Sequence, residues 1–450
     1  MTGVQTCALR STETPAANRG NPALYTTPGP FNPNPAAYRP TVQPISGTVI
    51  PSTISALAPD FKFPQTWKTS LAFDKKIAKG LVFTMEGILN KDVHTAVFSN
   101  PNLVAPTPLN VTNYPDNRMF YPSAVKDKFI NPLTSATFNA VTNPNPSTAV
   151  PNGDARGTQA FNSIVMSNGK KGFYFSLTAK LEKQFSKGFY GTVAYTGSVA
   201  DNLFDGGGDQ PLSAWQATPT VDGANFATLG NSNFVVPSRI IASLSYRKEY
   251  LKHLATTVSL FYEGASTGSF SYTYSADFNR DGTNNDLIYI PKNPSEITFV
   301  PKTLNGVTYS AQQQSDLFFA YIDQDKYLRK HMGEYAGRNA VRLPWRNQFD
   351  IRVMQDLFTN IGKQRNTIQF SLDIFNFTNL LNSNWGIFKT VNASSILVPQ
   401  NVSSLVTGGT IKPTFQLATV GTGLATSTYR DNVSIGSTYY MQFGLRYIFN

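Results

Sequence analysis

Four pairs of alternating apolar and polar stretches are each joined by a very short turn, while the segments between the pairs run to several tens of residues. That pattern limits the fold more tightly than any other feature of the sequence. In the first pair Trp67, Thr69, Leu71 and Phe73 alternate with Lys68, Ser70, Ala72 and Asp74; after a basic turn at 75–80, Leu81, Phe83, Met85, Gly87 and Leu89 resume the pattern. Successive side chains of a strand point to opposite faces, so each pair reads as a hairpin with one apolar face. The second runs from Phe173, Phe175, Leu177, Ala179 and Leu181 through 184–188 to Phe189, Gly191, Val193 and Tyr195. The third joins Ile240, Ala242, Leu244 and Tyr246 through 247–252 to Leu254, Thr256, Val258, Leu260 and Tyr262. The fourth joins Phe349, Ile351 and Val353 through 359–365 to Ile368, Phe370, Leu372 and Ile374.

The segments around 100–170, 201–236 and 276–345 are rich in Pro, Asn, Gly and Ser and far exceed the roughly 12 to 15 residues expected of an unstructured connection in a compact soluble domain. A soluble sandwich has no reason to sort its connections by length. A transmembrane barrel has one, because its periplasmic turns are short and its external loops long. The expectation is therefore an all-β fold, an antiparallel transmembrane β-barrel with long extracellular loops and short periplasmic turns. About eleven strands are expected, two of them within 383–420, with every short turn on the periplasmic side. Residues 1–60 read as a lead-in: 1 to about 12 as a non-native start without the basic and apolar regions of a signal peptide, and 13–60 as a Pro/Asn-rich loop or disordered stretch. Residues 61–450 form the barrel domain.

Composition agrees. No run approaches the roughly 18 consecutive apolar residues of a membrane helix, yet barrel strands pass this test because only every second residue is apolar. Aromatic residues make up 13% against 14% charged, which suits a lipid-facing surface with aromatic girdles. The net charge of +11 comes from scattered or turn-borne Lys and Arg, with no basic run and no nucleic-acid motif, so nucleic acid is not expected as a partner. Cations near turns meet either acidic lipid headgroups or water.

The last strand carries Tyr439, Met441, Phe443, Leu445, Tyr447 and Phe449 on one apolar face and Tyr440, Gln442, Gly444, Arg446 and Ile448 on a mixed one. Taken alone it also fits a strand closing a soluble sandwich. Its order Gln442, Gly444, Tyr447, Phe449 resembles the terminal signal read by the barrel assembly machinery of outer membranes.

Two segments depart from strand periodicity. Ser310 and Gln313 form a capping box ahead of Leu317, Phe318, Tyr321 and Ile322 at helical spacing, which predicts a helix over about 311–331. In 276–288, Asp277, Asn279, Asp281, Thr283, Asn285 and Asp286 set oxygen atoms around Gly282, the donor type that Ca²⁺ takes six to eight at a time. The twelfth position is Ile288 instead of a bidentate Glu, so a looser calcium loop is expected in place of an EF-hand; an Asp/Asn/Gly turn is the alternative. His94, His253 and His331 lie far apart and no nucleophile, metalloprotease or phosphate-loop motif occurs, so no enzyme activity, catalytic residue or organic cofactor is expected.

Several stretches together resemble the C-terminal barrel of TonB-dependent receptors of the Oar-like kind, which carry a carboxypeptidase-regulatory-like domain. They are Phe83-Thr-Met-Glu-Gly-Ile88 with Lys91-Asp92, residues 277–291, residues 325–338 with Gly333-Glu334-Tyr335, Arg346-Asn-Gln-Phe-Asp350, Asp373-Ile-Phe-Asn-Phe-Thr-Asn379 and Gly444-Leu-Arg-Tyr-Ile-Phe449. The resemblance implies the C-terminal half of a roughly 22-stranded barrel in the outer membrane of a Gram-negative bacterium. It also implies uptake of an extracellular ligand driven by TonB through a plug missing from this chain, with a surface lipoprotein as a possible partner. An outer-membrane structural or adhesion barrel without active transport is the alternative.

Overall fold

The structure is a computed structural model that describes residues 53–130 and 162–449; the expected non-native start and most of the lead-in lie outside these residues. Its frame is one antiparallel sheet crossed nine times. The passes are β2 (Gln65–Ala78), β3 (Leu81–Ser99), β4 (Asn162–Gly169) with β5 (Phe173–Ser186), β6 (Phe189–Asn202), β7 (Ser238–Tyr250), β8 (Leu254–Ser266), β9 (Trp345–Ile361), β10 (Gln364–Phe375) and β11 (Tyr440–Phe449). β4 and β5 make one interrupted pass, since Thr95 opposes Gly169 and Lys91 opposes Phe173 in continuous register on β3. Each pass pairs with its neighbour in sequence, and the four short turns all fall at one end. Lys187 and Gly188 complete the second turn with positive φ, and Gly362 lies in the fourth. Because nine is odd, β2 and β11 run in the same direction, and β11 ends beside the short turns.

Register keeps one face apolar from end to end. Leu71 pairs with Gly87, Gly87 with Leu177 and Leu177 with Gly197; further round, Leu244 pairs with Leu260, Leu260 with Ile351, Ile351 with Ile374 and Ile374 with Met441. This face is open to its surroundings, with Leu71 79%, Phe443 77% and Leu445 70% exposed. Aromatics border it: Trp67, Phe175, Tyr195 and Trp345 towards the long connections, and Phe189, Tyr246, Tyr447 and Phe449 towards the short turns. From Trp67 to Ile77 a strand rises about 33 Å, which a tilt of roughly 40° reduces to about 25 Å, the height of a barrel's lipid-facing band. The opposite face is polar. Arg247 pairs with Asp356 at 2.7 Å, Arg239 with Glu263 at 2.7 Å, and Arg352 with Asp373. Hydroxyl pairs bridge strands there as well, Thr178 with Thr196 and Ser245 with Ser259, each at 2.9 Å.

Three sequence expectations need correction. Among the described residues nine passes replace about eleven, because 383–420 contributes only short strand pieces outside the main sheet. Its apolar residues Ile396, Leu397, Leu405, Phe415 and Leu417 are instead buried in a core shared with other long connections. The lead-in is not wholly irregular: β1 (Thr53–Leu57) pairs in parallel with β4, Thr53 opposite Asn162 through Leu57 opposite Met166. The helix over 311–331 is two helices, α1 (Ala311–Gln324) and α2 (Lys326–Lys330). Ser310 and Gln313 do form the capping box of α1, but Asp325 leaves the helical conformation and caps α2, accepting from the amides of Tyr327 and Leu328.

The long connections pack together at the end opposite the short turns. Leu109, Val111, Tyr114 and Phe120 from the first, Tyr272, Tyr274, Phe278, Ile288 and Phe318 from the third, and Leu397, Phe415 and Leu417 from the fourth share one buried core. A smaller cluster, Leu103, Tyr121, Ile164, Trp215 and Ala224, joins the first and second. These connections form an outer cap with its own hydrophobic interior, in place of a set of open loops.

Candidate functional site

At the centre of the cap lies the segment 276–288, most of whose residues are buried although seven of them are Asp, Asn or Thr. Gly282 has φ +96° and Arg280 φ +66°, so the chain turns sharply twice and folds its polar side chains back on its own amides. Asp277 accepts from the Gly282 amide at 2.8 Å, Asn279 from the Asp281 amide at 2.8 Å, and Asp281 from the amide and hydroxyl of Thr283 at 2.8 and 2.7 Å. The other Asp281 oxygen accepts from the Ala224 amide at 2.7 Å, which fastens the second connection to this loop.

Of the six residues expected around a cation, Asp277, Asn279, Asp281 and Thr283 stay within one closed turn. Asn285 and Asp286 serve other contacts. Asn285 donates its amide to the carbonyls of Gln216 and Thr218 while its oxygen accepts from the Thr283 hydroxyl. Asp286 accepts from the amides of Phe278 and Asn279 and faces the Arg118 guanidinium at 3.6 Å. Buried oxygens without a hydrogen-bond donor remain on Asp277 and on Asp286, Oδ1 in each case. Burial, followed by the neighbouring Asp281, pushes the Asp277 carboxyl up to about 6. Burial also raises Asp281 and Asp286, against the lowering effect of Lys128 on the first and of Arg118 on the second. Among the described residues no three Asp, Glu, His or Cys side chains converge to cage a metal by themselves. A cation here would therefore complete its shell with amide, carbonyl or water oxygens, as Ca²⁺ readily does.

Beside this loop stands a network that periodicity does not reveal. The Arg118 side chain is fully buried, pairs with Asp116 at 2.9 Å and donates to the Leu287 carbonyl at 2.7 Å. Its guanidinium lies 5.0, 4.9 and 5.6 Å from the ring centres of Tyr274, Phe278 and Tyr335. Burial alone would lower its pKa; Asp116, Tyr274 and Asp286 outweigh that and keep it charged. Asp116 also accepts from the hydroxyls of Tyr335 and Tyr274. Arg280 reaches the other way, stacking 4.4 Å over Phe120 and donating to the carbonyls of Val402 and Leu405. The loop 276–288 is thus the hub on which all four long connections meet.

On β11, Gln442 and Gly444 lie opposite Asp373 and Ser371 on the polar face, while Tyr447 and Phe449 stand on the lipid-facing side. A side chain at Gly444 would bring a Cβ to 2.5 Å from the Ser371 hydroxyl, which would have to rotate away.

A sheet with one unbroken, exposed apolar face bordered by aromatics, a polar opposite face and connections sorted by length is a transmembrane β-barrel wall. A family model described as outer membrane beta barrel domain matches residues 3–414, and the chain belongs to that family. Its place is the outer membrane of a Gram-negative bacterium. A search among curated proteins finds no match.

Proposed function

We propose that the chain is the C-terminal barrel portion of a TonB-dependent receptor of the Oar-like kind, taking up an extracellular ligand through the outer membrane. The observation that carries this reading is the outer cap: three long connections share one buried core above the strand ends, the second is tied to the first by a smaller cluster, and together they present a fixed external surface, as ligand capture requires. The ordered set of resembling stretches, from Phe83 to Phe449, supports it as well. In this reading TonB acts through a plug outside this chain, a surface lipoprotein is a partner at the cap, and the barrel assembly machinery reads Gln442, Gly444, Tyr447 and Phe449. The protein performs no chemistry on its ligand. In the producing bacterium, deleting this gene and disrupting TonB are expected to abolish uptake of the same nutrient. Uptake that is lost on deleting the gene but survives disruption of TonB, or no uptake defect at all, would favour the structural or adhesion barrel.

The cap loop is proposed to bind Ca²⁺ through Asp277, Asn279 and Asp281, with Thr283 contributing its carbonyl. The donorless Asp277 oxygen in a buried carboxylate cluster supports this. Millimolar Ca²⁺ is expected to raise the thermal unfolding temperature of the parent protein by several degrees, and chelator to reverse the shift. Asp277→Asn should remove the response while leaving the turn's Gly282 contact replaceable by an amide oxygen. An unfolding temperature indifferent to Ca²⁺ in the parent ends the metal reading.

A further inference from the structure

We propose that the barrel rim at the short turns binds anionic phospholipid headgroups of the periplasmic leaflet through lysines on its lipid-facing side. The charges at this end are sorted by face. Lys75 pairs with Phe83 and Lys248 with Thr256, both on the face that carries Leu71 and Leu244. The carboxylates at the same level, Asp74, Glu182, Glu249 and Asp356, stand on the inward face, where they serve other partners. Asp74 accepts from Thr84 at 2.5 Å, Glu182 from Lys180 at 3.0 Å, and Glu249 and Asp356 both pair with Arg247. Among the described residues no carboxylate shares the lipid-facing side at this end.

Lys75 and Lys248 are exposed and lie three to four residues from their turns, next to Phe73 and Tyr246. A lysine at this depth lays its methylene stem along the apolar face and lifts its ammonium to the headgroup level. There the only abundant anionic group is a lipid phosphate, since the protein's own carboxylates at this level face inward. Attraction of a basic rim to anionic lipid is an electrostatic surface effect that fades with ionic strength. The proposal rests on the membrane orientation alone and is independent of transport.

The test uses the full chain in vesicles of phosphatidylcholine alone and of equal parts phosphatidylcholine and phosphatidylglycerol. Spin-labelled lipids report by electron paramagnetic resonance which lipid associates with the protein. The parent should prefer phosphatidylglycerol by about fivefold or more, and the preference should shrink in about 1 M salt. Lys75→Gln with Lys248→Gln should bring the two lipids to near-equal association, while Lys75→Arg with Lys248→Arg should keep the preference. Soluble glycerol phosphate should not displace the lipid. Equal association in the parent, an unchanged preference in the Gln variant, or displacement by soluble glycerol phosphate would overturn the proposal; the parent measurement decides even where a variant fails to fold.

Discussion

Arg118→Leu is expected to release the outer cap from its hub while the nine strand passes stay paired. The guanidinium is wholly buried between Asp116 and Asp286 and under three aromatic rings, and it also holds the Leu287 carbonyl. Removing one member of a buried ion pair costs about 3 to 5 kcal/mol, because the remaining carboxylates keep their desolvation penalty without compensation. Here two carboxylates lose their partner at once, so the upper part of that range applies. The loss falls on contacts between connections, which no strand pairing uses. Proteases added outside should then cut within 100–130 and 267–344, and the strands should stay protected. Adding Asp116→Asn and Asp286→Asn removes the stranded charges and should restore much of the resistance. A single variant as resistant as the parent would show that the network does not hold the cap.

The contrast between strands and cap explains what could be read from the residues alone. The pairing of Leu244 with Leu260, or of Val353 with Leu372, follows from period-two alternation and a short turn, both local properties of a stretch of about thirty residues. Even orientation is legible this way, since the turns sort by length. The cap obeys no such period. Arg118 meets the Leu287 carbonyl across 169 positions of sequence, and Asp116 meets Tyr335 across 219. An Arg in a Pro/Asn-rich segment carries no local sign of that destination. The same blindness explains the misjudged strand count, because Phe415 and Leu417 alternate like strand residues yet are buried in cap core against Phe299 and Tyr274. At the calcium-like loop, spacing alone groups Asp277, Asn279 and Asp281, which bond within one turn. It has no means of showing that Asn285 is held by Gln216 and Thr218, or that Asp286 answers a distant guanidinium.

Neighbouring substitutions on one strand should differ most where the membrane reading is right. Leu244 lies midway along β7, between Ser238 and Tyr250, and faces outward with 43% of its surface exposed. An arginine at the bilayer midplane of a barrel costs about 2 to 4 kcal/mol, whereas near either interface the cost falls to about 0 to 1 kcal/mol. Leu244→Arg should therefore lower the folded fraction recovered in outer membranes by roughly thirtyfold or more. Ile240→Arg, on the same face but nearer the external rim, should lose much less. Ser243 is adjacent in sequence yet faces inward, where Asp350 and Asp373 line the same hollow and Phe261 and Thr192 are its cross-strand partners. Ser243→Arg would meet Asp350 there, beside the existing Arg352–Asp373 pair, and should cost far less than Leu244→Arg. Heat-modifiable mobility of the assembled protein reads all three variants. The natural sequence already obeys the depth rule, since the outward cations of β5 and β7, Lys183 and Lys248, stand only near the turns. A soluble sheet, whose outward face meets water, would accept Leu244→Arg without loss, so equal recovery of the Leu244 and Ser243 variants would refute the lipid-facing assignment.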